Sequence, residues 1–157
     1  MLPGLVDSHV HLSEDPYTLT IDELYRSESF ESTYLRFKRN ALEAMNSGIT
    51  TLCDLGGKNM DNYYLSQKLS SEYPFAPHII SSGCFFSKRH GHYMSRGGFV
   101  INSREEAEYY ATYLLKLNIT IAKIMLGNYE YDSAAVLDLA EKTEEERASI
   151  LPPGGHL

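Results

Sequence analysis

Apolar positions along the chain fall into short β-branched runs that alternate with segments of helical period. Leu5, Val6, Val10 and Leu12 follow Pro3-Gly4 and predict a buried strand over residues 2–12. Residues 13–30 are polar, contain Pro16, and predict a loop with a short helical turn near 21–25. Ser32 is placed to cap a helix whose apolar positions are Leu35, Ala41, Leu42, Ala44 and Met45, and Gly48 is placed to end it. A second strand follows at 49–55 and stops at Gly56-Gly57. Residues 60–71 read as a second helix, with Tyr64, Leu65 and Leu69 as its apolar contacts. Pro74 and Pro77 lead into a third strand at 78–83, and residues 84–98 read as irregular. Ser103 and Glu106 have capping-box spacing. Behind them Ala107, Tyr110, Ala111, Leu114 and Leu115 form one stripe, which Asn118 can end. A fourth strand at 119–126, a fourth helix at 134–150 and an unstructured tail at 151–157 complete the pattern.

Strand and helix thus alternate about four times, which predicts an α/β domain over residues 1–150 with a parallel sheet and right-handed crossovers. Composition narrows the possibilities. Fourteen Lys and Arg stand against 21 Asp and Glu among 157 residues, a formal net charge of −7. No basic surplus exists to displace counterions, so a nucleic-acid partner is not expected. No apolar run reaches the roughly 18 residues of a membrane span, so no membrane partner is expected either. Residues 1–12 lack the basic and apolar regions of a secretory signal. Two cysteines, Cys53 and Cys84, do not make a disulfide framework; they read as small buried hydrophobes in a cytoplasmic protein.

The sharpest chemical feature is His9-Val10-His11. Strand side chains alternate, so Asp7, His9 and His11 are expected on one face and Val6, Val10 and Leu12 on the other. Two imidazoles on one strand face can share a borderline metal such as zinc, with Asp7 orienting a ring. They can equally be unrelated polar residues, with Asp7 capping a turn. Asp54 reads as a loop-shaping residue. His78, at the start of a strand, reads as structural, and His156 lies in the tail.

Leu2-Pro3-Gly4-Leu5-Val6-Asp7-Ser8-His9-Val10-His11-Leu12 resembles the first-strand signature of the amidohydrolase superfamily. Gly48-Ile49-Thr50-Thr51-Leu52-Cys53-Asp54-Leu55-Gly56-Gly57 resembles its second-strand signature, most closely in the imidazolonepropionase-like and Xaa-Pro dipeptidase (prolidase-like) branch. The resemblance continues weakly through Ile80-Ser81-Ser82-Gly83 and Ala122-Lys123-Ile124-Met125.

It implies a partial TIM-like (βα) barrel of about four units, and a metal-dependent hydrolase of amide or dipeptide carbon–nitrogen bonds. It assigns His9 and His11 as metal ligands. Lys123 falls where the branch carries a lysine carboxylated by carbon dioxide that bridges two metals; the resemblance implies one or two divalent ions here, zinc foremost. His92 and, second, His90 fall where the family has a substrate-side histidine loop. Family members carry further histidine ligands and a catalytic aspartate on later strands.

The chain is short of the roughly 250 residues of a whole barrel. It is therefore expected to be the first half of an enzyme, inactive alone, and associated with itself or with a second half through open sheet edges. The alternatives are a non-catalytic metal-binding or scaffolding unit, and a phosphoesterase- or nuclease-type metal-dependent barrel. Pro3-Gly4 and the Thr-Thr-x-x-Asp second strand count against the phosphoesterase or nuclease reading.

Overall fold

The computed structural model of the chain describes residues 2–15, 17, 28–89 and 97–125. Within them the order is β1 (Leu5–Val10), α1 (Phe30–Asn46), β2 (Ile49–Asp54), α2 (Asp61–Glu72), β3 (His78–Ser81), β4 (Phe85–Ser87), β5 (Phe99–Val100), α3 (Arg104–Lys116) and β6 (Lys123–Ile124). All pairings are parallel. The expected helices at 21–25 and 134–150, and the tail, lie outside the described residues.

The strands form two ladders, β1-β2-β3 and β5-β4-β6. This corrects the expectation that the first and fourth strands share one sheet. The break falls at residues 82–84, where the chain bends and then continues as β4, which the pattern had left irregular. The fourth strand is also shorter than expected: only Lys123–Ile124 pair, with Phe85 and Phe86.

The edge position of β1 corrects the first strand. It was expected to be buried, but its only ladder partner among the described residues is β2, and Leu5 and Val6 are 62% and 66% exposed. Val10 and Leu12 do pack inward. A register shift between Asp7 and Val10 inserts an extra residue against β2, so strict alternation does not hold through His9.

Helix α1 starts earlier than the pattern suggests. Ser29, not Ser32, is the cap: its hydroxyl accepts from the Ser32 backbone N–H at 3.2 Å. The buried face is then Tyr34, Phe37 and Ala41, together with Arg36, which pairs with Glu28. Leu35, counted as apolar core, is 59% exposed. The helix stops as expected, with Gly48 in the left-handed region at φ +89°. Phe37, Ala41, Leu52, Leu65, Leu69 and Leu12 form one core between α1, α2 and the first sheet. Cys84, Phe86, Met60, Leu114 and Ile119 form a second core under α3.

Helix α3 bears out its cap, with Ser103 Oγ accepting from Glu106 N at 3.2 Å. The returning carboxylate accepts from Asn102 N at 2.7 Å, one residue before the cap. Asn118 takes the expected left-handed turn at φ +57°. Among the described residues no helix is long and apolar enough to cross a membrane.

The corrected phase of α1 is testable. Phe37→Ala should lower unfolding free energy by about 3–5 kcal/mol, whereas Leu35→Ala should stay within about 0.5 kcal/mol. Urea unfolding of the two variants, followed by circular dichroism, gives the comparison.

Candidate metal centre

The carboxyl-terminal end of β1 delivers His9 and, one residue past the strand, His11. Their rings meet edge to face with centroids 5.2 Å apart. Asp7 Oδ1 accepts from the His9 backbone N–H at 3.1 Å, a bond that stabilises the irregular stretch of β1.

Lys123 arrives from β6, in the other ladder, and its Nζ lies 3.3 Å from His9 Nε2 across a sequence separation of 114 residues. The three residues expected to share a metal are thus brought together. His90 and His92, the expected substrate-side pair, lie outside the described residues. His78 opens β3 opposite Thr51, at the far end of the sheet from His11.

Two consecutive residues, Asp54 and Leu55, hold the backbone on either side of His11. Asp54 Oδ1 accepts from Leu12 N at 3.0 Å. Leu55 N donates to Val10 O at 3.0 Å. The Gly56 carbonyl accepts from Asn62 Nδ2 at 3.1 Å. Gly56 sits at φ +92°, and a Cβ there would stand 3.3 Å from Phe85 Cβ and 3.5 Å from Lys123 Cγ. The left-handed backbone favours glycine here, and a side chain would crowd Phe85.

Burial is the main cause that holds the His11 imidazole below its usual pKa. Glu14 opposes that shift, and the nearby His9 and Lys123 reinforce it. A neutral imidazole is the form that ligates a metal.

Two imidazoles and an amine suit a borderline cation such as zinc. An ammonium beside them would repel it, so the amine joins the donor set only when neutral or converted to a carbamate. Among the described residues no group of three His, Cys, Asp or Glu gathers to hold a metal.

The sequence reading underrated Asp54. It is fully buried and receives Asn62 Nδ2 at 2.6 Å as well as Leu12 N. Its carboxyl pKa is pushed up to about 7, with burial as the leading cause and the two hydrogen bonds opposing it. The available signal was an acid followed by Gly-Gly at the end of an apolar strand. The two cysteines are free thiols. Cys84 is buried as expected, and burial pushes its thiol up to about 12; Cys53 is only half-buried.

A sequence profile of the Amidohydrolase family matches residues 1–148. Among solved structures, an amidohydrolase aligns with a TM-score of 0.71 at 19% identity, covering 92% of this chain and 41% of that one. A. niger ochratoxinase aligns at 0.70 and 19% identity, covering 92% and 40%. A Xaa-Pro dipeptidase with methionine bound in its active site aligns at 0.69 and 18% identity, covering 93% and 41%. These likenesses give the chain a TIM-barrel-like fold, and the chain spans about two-fifths of the length of the structures it matches. No curated protein matches the sequence.

Asp54 makes stability depend on pH in a definite direction. Its carboxyl titrates near 3.8 when unfolded and about 7 when folded, so between those values the folded chain holds the extra proton. The contribution of Asp54 to stability therefore rises as pH falls through that window and is level outside it. Asp54→Asn should remove this slope, as measured by urea unfolding at a series of pH values.

Proposed function

The chain belongs to the amidohydrolase family, and from that premise we propose that it supplies the metal-binding first part of a hydrolase acting on amide or dipeptide carbon–nitrogen bonds. The observation that carries this reading is the meeting of His9, His11 and Lys123 from opposite ends of the described chain, with Lys123 Nζ 3.3 Å from His9 Nε2. His9 and His11 hold the ion, one or two zinc ions being the preferred occupants. When bound, the metal supplies Lewis acidity toward an amide carbonyl and the attacking water.

Lys123 takes up carbon dioxide in this reading. The neutral amine nitrogen bonds to the carbon of CO2, one N–H proton leaves to solvent, and the product is an anionic carbamate with oxygen donors. That conversion replaces a positive charge beside His9 with a negative one. Burial lowers the His11 pKa and so favours the neutral form that binds a metal. The substrate-side role of His92 or His90 belongs to the same proposal, as does a cytoplasmic location, for which the free thiols Cys53 and Cys84 are the support.

The small-molecule substrate is a compact amide or dipeptide, in keeping with the methionine bound by the dipeptidase neighbour and the phosphonate–proline compound bound by a prolidase neighbour. About four βα units belong to this chain. The further ligands and the general base come from residues other than His9, His11 and Lys123, so the 157-residue chain alone is proposed to be without turnover.

Two outcomes are expected. By calorimetry the chain should bind zinc loosely, and His9→Ala or His11→Ala should abolish most of the binding. In a dipeptide-release assay the zinc-loaded chain should match a metal-free control; robust turnover would overturn the incomplete-site reading. Separately, the exposed edge of β1, with Leu5 and Val6, should drive the chain to self-associate. Sedimentation should show oligomers for the natural sequence and a shift toward monomer for Val6→Lys; a clean monomer at high concentration contradicts the proposal.

A further inference from the structure

The strands that carry the site run in the order β1, β2, β3 and β6, with β4 continuing β3 past the bend at residues 82–84. All their pairings are parallel. The bent strand pairs with β2 through β3 and with β6 through β4, and the short β5 flanks β4. Among the described residues β1 and β6 therefore each keep an unpaired edge, at opposite sides of one four-stranded surface. That surface is concave: Lys123 on the last strand brings its Nζ to 3.3 Å from His9 Nε2 on the first. In a flat sheet the first and fourth strands lie about 14 Å apart and their side chains stand side by side without converging.

Strand β1 is not built to remain an edge. Leu5, Val6, Ser8 and His9 are exposed, and so is Leu2 just before the strand. The strand carries neither Lys nor Pro, the residues that ordinarily keep an edge unpaired.

A second copy of the chain satisfies both edges at once. When β1 of each copy lies in parallel beside β6 of the other, the ring closes with no edge left. Its strands then number eight, as in a parallel barrel filled by its own side chains. Pairing β1 with β1 leaves both β6 edges open, and a one-sided stack of β1 on β6 does not stop at two copies. Since every strand is parallel, both copies present His9 and His11 at the same end of the ring, with β1 of the second copy standing fifth, across the lumen from the first. One chain offers two imidazoles and an amine, where a catalytic zinc takes three protein ligands. The closed pair offers imidazoles from two sides.

We propose that two copies of this chain close one eight-stranded barrel, β1 of each against β6 of the other, and that a metal in its lumen takes imidazole ligands from both. The shared metal rests on the ligand role proposed above for His9 and His11. The closure rests on the strand edges and does not need that role.

Closure is tested on the metal-free chain. In a mixture of isotope-labelled and unlabelled copies, isotope-filtered NOEs arise only between copies. Leu5 and Val6 of one copy should contact Lys123 and Ile124 of the other, in a species that sedimentation places at two copies and no more. Contacts from β1 to β1 overturn the proposal, as do assemblies that keep growing with concentration. A monomer, the result if a different polypeptide covers these edges, overturns it as well.

The shared metal is tested by mixing. The unaltered chain is titrated with zinc in a large excess of chain carrying both His9→Ala and His11→Ala, so that most unaltered copies pair with a variant. Most of the zinc bound per unaltered copy should be lost, and unchanged binding overturns the sharing. Should the double variant not pair, the unaltered chain carries the test: zinc should shift dilute chain toward the two-copy species, and no shift overturns the sharing. If the β1–β6 contacts are present and no zinc binds, the metal reading fails while the closure stands.

Discussion

A carboxyl group buried without exposure between β1, β2 and α2 holds the rest of the site in place. Asp54 stands at the end of a strand whose other inward residue is Leu52, in the core beneath α1 and α2. Taking a carboxylate out of water is costly, and the protein meets that cost with two hydrogen bonds and a strongly raised pKa. Those bonds pin the exit of β1 to β2 and α2. Without them His11, one residue beyond the strand, would sit on a loop free to turn. With them its backbone is held on both sides by consecutive residues of one neighbouring segment.

The second constraint is steric. The two ladders separate at residues 82–84, and the candidate site spans them, with His9 on the first and Lys123 on the second. Phe85 and Lys123 come close to the Gly56 backbone because glycine lacks a Cβ and tolerates its left-handed φ. The matched structures are each more than twice as long as this chain.

Much of the architecture was legible because its signals are local. Gly48 and Asn118 take left-handed turns because the helices before them must stop. Ser103 caps α3 because a hydroxyl three residues before a backbone N–H can satisfy it. The strand–helix alternation follows from hydrophobic period alone. Leu35 and Ser32 misled for a physical reason: the polar lead-in 28–33 offers several hydroxyls as caps. Only packing against Leu52 and Leu69 decides that Phe37, not Leu35, turns inward.

The sequence by itself determined the order of β1, α1, β2, α2, β3, α3 and β6, though not β4 or β5, together with the parallel α/β class and the pair of histidines at the end of the first strand. These rest on periods of two and 3.6 residues and on neighbours a few positions apart. Tertiary structure alone decided which strands pair, that β1 lies exposed at an edge, and that a strand irregularity redirects His9. It also decided that Asp54 and Asn62 meet across eight residues, and that Lys123 reaches His9 across 114. Contacts at such separations leave no periodic trace in the chain, because they depend on how whole strands and helices stack, and stacking is fixed by packing rather than by spacing.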